Sequence, residues 1–175
     1  MSNPERAGRT RLVDTIDGLE DRPDDPEQRR RTRQLLHSYW TAILDQDAQA
    51  LRPHLSDDTV VELPFSESGR VEEGFFRSFH GLEDVMAFWT TAFSLEGAGS
   101  GIYDAEVTIS GDGRVVFVEG FGLATMADGR DYRNRYVFRM TIDGDEVTSC
   151  REYYNPIISA RAFDRTIAGA GAEAG

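Results

Sequence analysis

Residues 131–156 read DYRNRYVFRMTIDGDEVTSCREYYNP, two runs joined at an Asp-Gly. Alternation divides the first run into two faces. Tyr132, Asn134, Tyr136, Phe138, Met140 and Ile142 share one, and Arg133, Arg135, Val137, Arg139 and Thr141 share the other. The arginine face belongs in water, so Asn134 and the tyrosines are expected to point inward. A buried Asn amide without a partner costs roughly 1–3 kcal/mol, so it must meet protein or ligand. Asp-Gly between alternating runs signals a tight hairpin, which sends EVTSCREYY back antiparallel. There Cys150, Glu152 and Tyr154 share a face opposite Arg151 and Tyr153. A free Cys prefers burial, which turns Glu152 inward with it. Asn155-Pro156 reads as the stop.

Working upstream, IYDAEVTI ends at a Gly-Asp-Gly turn and RVVFVEGFGLATM at another Asp-Gly. The second run leaves its inward face open. Val115, Phe117, Glu119, Phe121 and Leu123 lie on one side, and Val116, Val118, Gly120 and Gly122 on the other. TVVELPF is a further strand, and Pro64 marks its edge or end. Here Glu62 keeps parity with Val60, while Leu63 and Phe65 form the competing inward set. Helical spacing appears at Leu36, Tyr39, Trp40 and Ile43, and again at Val85, Phe88, Trp89, Ala92 and Phe93. A short helix over DAQALRPHL is expected between them, with Asp47 as its cap. Helices first and then an antiparallel meander give an α+β fold. Residues 1–26 and 164–175 are expected to be mobile tails, and 27–163 one domain.

The chain has 175 residues, 39% hydrophobic content and a formal net charge of −12, a field that repels phosphate backbones and excludes nucleic acid as the expected partner. RRRTR at Arg29–Arg33 reads as a solvated helix start. All 19 basic residues are Arg, a sign of a GC-rich bacterial genome. No apolar run approaches the ~20 residues that cross a bilayer, and the start lacks a secretion signal, so a cytoplasmic protein is expected. One Cys excludes an internal disulfide framework. His37, His54 and His80 show no ligand spacing, and no Gly-rich phosphate cradle or nucleophile elbow is present. Neither metal nor cofactor is expected.

TVVELPF, HGLEDVMAFW, DYRNRYVF and DGDEVTSCREYYNP, in this order, resemble the superfamily of ketosteroid isomerases and SnoaL-like polyketide cyclases over about residues 30–160. The resemblance implies a cone, with a curved, mostly antiparallel sheet wrapped around the N-terminal helices to enclose a pocket. Tyr132-x-Asn134-x-Tyr136 and Arg151-Glu152-Tyr153-x-Asn155 are most similar to phenazine-biosynthesis A/B-type proteins and their SnoaL-like relatives. There the acid of the last strand moves protons in the pocket, a role that falls on Glu152. Departures are plain. Leu63 stands where ketosteroid isomerases carry their Asp base, with Glu62 one place earlier. Glu119 and Phe121 replace the Arg and Asp of limonene-epoxide-hydrolase-like members, and Phe88 replaces a phenazine-type His. Relatives commonly pair across the open sheet face, which implies a homodimer.

The expectation is therefore a cofactor-independent isomerase, cyclase or condensation catalyst acting on a hydrophobic small molecule in bacterial secondary metabolism. Glu152 would transfer the proton, while Tyr136 and Asn134, with Tyr39, would hold a carbonyl or enolate oxygen. Glu62 or Glu119 would be the complementary carboxylate. Trp40, Phe65, Phe88, Trp89, Phe138 and Tyr154 would line the substrate site, although the same aromatics suit a plain core. The alternative is a non-catalytic binding or dimerisation module on the same fold.

Overall fold

The computed structural model describes residues 10, 12–70, 72, 74–97 and 100–167. Helix α1 (Leu12–Asp17) precedes α2 (Pro26–Leu44) and α3 (Ala48–Leu51), and a 3-10 turn, Arg52–His54, leads into β1 (Leu55–Leu63). Then come β2 (Arg77–His80), α4 (Leu82–Leu95), β3 (Gly101–Ile109), β4 (Val115–Thr125), β5 (Asp131–Asp143), β6 (Glu146–Tyr154) and α5 (Pro156–Ala162). The six strands form one curved, open sheet in the order β2-β1-β6-β5-β4-β3. Only β1 and β6 run parallel; every other neighbouring pair is antiparallel.

Local chemistry explains the elements. Asp25 caps α2 by accepting from the Gln28 N–H at 2.8 Å, and Pro26 follows where a missing N–H costs nothing. Asp47 accepts from Gln49 and Ala50 to start α3. The buried stripe of α2 is Gln28, Thr32, Leu35, Leu36, Tyr39 and Ala42. Its two polar members are satisfied by hairpin turns: Thr32 donates to the Gly113 carbonyl at 2.7 Å, and the Gln28 amide to that of Gly144 at 2.8 Å. Both glycines have positive φ, the turn conformation that the Asp-Gly motifs predict. These bonds register the long helix against the sheet.

β5 follows its predicted faces, with Tyr132, Asn134, Tyr136, Phe138, Met140 and Ile142 all buried. In β4 the inward set is Val116, Val118, Gly120 and Gly122, and Glu119 is exposed on the opposite face. Volume decides this. Gly122 pairs with Asn134 and lies under the Tyr136 ring, where a Cβ would overlap the ring carbons.

Asn155-Pro156 ends the strand but also opens α5, because the Asn155 side chain accepts from Ile157 and Ile158. Residues 12–26, expected in a mobile tail, contain the exposed helix α1 and two anchors on the β3–β4 turn. Arg22 pairs with Asp112 at 2.8 Å, and the Asp25 N–H donates to the Gly111 carbonyl at 2.8 Å. Residues 1–9, 11 and 168–175 lie outside the described residues. No described helix is long and apolar enough to cross a membrane.

Candidate active site

Glu152 keeps its inward direction because a bulge takes up one extra residue. β5 and β6 pair in register from Tyr136–Tyr154 to Thr141–Ser149, then shift so that Ile142 faces Val147. Thr148 is the unpaired residue of this bulge. Counting from the buried Val147, simple alternation would send Ser149, Arg151 and Tyr153 inward. The bulge reverses the phase, and Cys150, Glu152 and Tyr154 turn to the interior instead.

There Glu152 stands beside Phe138, its cross-strand partner, where two lobes of an internal cavity meet. The narrow lobe, about 80 Å³, lies among Trp40, Trp89, Phe93, Tyr136, Phe138 and Ile102. The wide lobe, about 290 Å³, runs past Phe88, Tyr154 and Ser159 to Arg77 and Arg165. Trp89, Glu96, Tyr132, Tyr136 and Glu152 border both. Glu152 keeps some accessible surface because it faces this hollow, yet protein surrounds its carboxyl. Burial raises that carboxyl to about 7, Glu96 nearby adds to the rise, and the Arg77 cation opposes it. Glu96 is itself raised by burial. The Tyr132 and Tyr136 hydroxyls lie 2.7 Å apart, and burial raises both phenols, so they remain neutral donors near pH 7.

The structure redistributes the expected roles. Glu152, Tyr136, Trp40, Phe88, Trp89, Phe138 and Tyr154 gather at the cavity. Asn134 does not. Its amide nitrogen donates to the Tyr132 hydroxyl at 3.0 Å and the Asn155 carbonyl at 3.1 Å, and its oxygen accepts from the Arg135 and Asn155 N–H groups. With those bonds made, no donor is left for a ligand. Tyr39 is wholly buried edge-on to Trp40, and it lines neither lobe. Glu62 pairs with Arg151 at 2.5 Å on the outer face, because Thr59, Val61 and Leu63 take the inward phase of β1. Glu119 is solvent-exposed, and Phe65 packs against Tyr153 on the outer side.

Glu96, Arg77, Arg165 and Tyr132 line the cavity without having been singled out as site residues from the sequence. Glu96 follows α4 one further step along the stripe of Trp89, Ala92 and Phe93, a signal the glycines after it obscured. Arg77 sits on a four-residue strand too short to show alternation. Among the described residues no cluster of three His, Cys, Asp or Glu is placed to hold a metal ion.

Comparison with known proteins agrees with this architecture. A protein from Bacillus subtilis, provisionally named an isomerase, superposes with a TM-score of 0.67 at 17% identity, over 81% of this chain and 98% of its own. A phenazine biosynthesis-related protein from Pseudomonas aeruginosa gives 0.63 at 17%, over 84% and 94%. A Xanthomonas campestris protein, provisionally named a polyketide cyclase, gives 0.61 at 17%, over 74% and 93%. At such identities the likeness establishes the fold. No curated protein matches the chain. The SnoaL-like domain description matches residues 36–150, and the chain belongs to that family.

Proposed function

We propose that this protein is a cofactor-independent acid–base enzyme of the isomerase or cyclase type, acting on a planar, largely apolar carbonyl compound. The observation that carries the reading is Glu152: a carboxyl beside the tyrosine pair at the junction of two aromatic lobes, held near neutrality by burial. A base must be ionised to accept a proton and acidic enough to return it, which a group near 7 achieves best. Ionised Glu152 takes a proton from the carbon beside the carbonyl. The enolate oxygen that forms accepts a hydrogen bond from the tyrosine pair. Of the two hydroxyl hydrogens, the Tyr132–Tyr136 contact uses one and leaves the other. Returning the proton to a different carbon completes an isomerisation; attack of the enolate on a second carbonyl closes a ring. The names carried by the Bacillus and Xanthomonas relatives fit this chemistry.

The test is hydrogen–deuterium exchange at the acidic carbons of β-tetralone in deuterium oxide, followed by NMR. The native protein accelerates exchange with a rate that rises through about pH 7, and Glu152→Gln loses roughly 10²–10⁴-fold. Exchange that persists in Glu152→Gln would refute the assignment.

A further inference from the structure

We propose that the far end of the wide lobe is an anion subsite, and that the substrate carries a carboxylate which Arg77 recognises there with Arg165 beside it. The inference rests on the proposed reaction, naming the substrate class for that same cavity. The narrow lobe is lined by aromatic and aliphatic groups with carboxyls at its border, whereas both arginines of the cavity stand at the other end.

The two arginines differ in their partners. Arg165 is fixed: its Nε donates to Glu67 at 2.7 Å and its Nη2 to the Ser159 hydroxyl at 2.7 Å. Glu67 therefore neutralises it. Arg77 donates from Nη2 to the Tyr154 hydroxyl at 2.7 Å, and among the described residues it makes no ion pair. A guanidinium offers five donors in a planar fork, and a neutral phenol engages one of them without meeting its charge. The charged and titratable groups facing this lobe are Arg77, Arg165, Glu96, Glu152, Tyr132, Tyr136 and Tyr154. The Arg77 charge acts at a distance on Glu67, already bound to Arg165, and on Glu152 across the lobe, whose carboxyl burial drives toward its neutral form. A planar carboxylate matches the fork of Arg77, and its ring system would then extend past Tyr154 and Phe88 toward Glu152.

Binding without turnover tests this. Trp40 and Trp89 border the cavity, so their fluorescence reports occupancy. At about pH 6, where Glu152 mostly carries its proton, β-naphthoate is titrated against its uncharged isostere β-naphthamide. The native protein should favour the naphthoate by about tenfold or more. Arg77→Gln should lose that preference with naphthamide affinity unchanged, and Arg77→Lys should keep part of it. Equal affinities in the native protein overturn the proposal. So does a preference that survives Arg77→Gln, which would leave Arg77 only a tuner of Glu152. Tighter binding of β-naphthyl phosphate would overturn the choice of carboxylate. Naphthoate selectivity without tetralone exchange would sink the proposed reaction and leave the subsite standing; exchange without selectivity would do the reverse.

Discussion

Replacing Glu152 by Gln should make the protein more stable at high pH than the native chain, in proportion to how far the carboxyl has been raised. Glu152 moves from an ordinary 4.5 to about 7 because folding takes it out of bulk water. Between those values the folded protein holds a proton that the unfolded chain has released, so native stability falls as pH rises through the window. At about 1.4 kcal/mol per pH unit, the full penalty above pH 7 is about 3 kcal/mol. Water in the cavity solvates part of the charge, which brings the expected value to about 2–3 kcal/mol. The amide carries no such penalty. Urea denaturation of both proteins at several values from about pH 5 to pH 8 measures it. The stability difference between variant and native chain should climb across the window and level off above it, whatever constant offset the amide introduces. A difference that stays flat, or climbs the other way, would show that Glu152 is not a desolvated acid, and the catalytic proposal would fall with it.

Asn134→Ala removes a side chain with four hydrogen bonds, two of which tie β5 to Asn155 at the β6–α5 junction, and stability should drop by about 2–4 kcal/mol in urea denaturation. A loss under about 1 kcal/mol would mean that those bonds do not hold the junction. Glu62→Gln breaks only the outer-face pair with Arg151, so stability should change by less than about 1 kcal/mol and the pH midpoint of tetralone exchange should stay put. A displaced midpoint would put Glu62 at the cavity after all.

The elements most legible in the sequence were those whose signal is local. β5 alternates without interruption, the Asp-Gly pairs fix the hairpins, and Asp47 caps its helix as its position suggests. Glu152 was readable only through Cys150, since the bulge at Thr148 hides the phase from anyone counting from Val147. What resisted reading was set by distant partners. The inward face of β4 depends on room for the Tyr136 ring, a matter of volume between strands. Asn134 looked free for a ligand because its partner Asn155 lies 21 residues away. Glu62 was ambiguous until its register opposite Arg151 placed both on the outer surface.

The supernumerary residue of β6 divides the last hairpin into a position that tolerates a deletion and a stretch that does not. Deleting Thr148 would restore a regular ladder, with Val147 still opposite Ile142 and Ser149 still opposite Thr141, so Cys150, Glu152 and Tyr154 would keep their inward phase. Arg151 and Tyr153 would stay on the outer face, and the acid would stay among the indoles. A one-codon deletion past the bulge, at Arg151, has no spare residue beside it; with the bulge kept, it would swing the acid out to solvent while leaving every other strand intact.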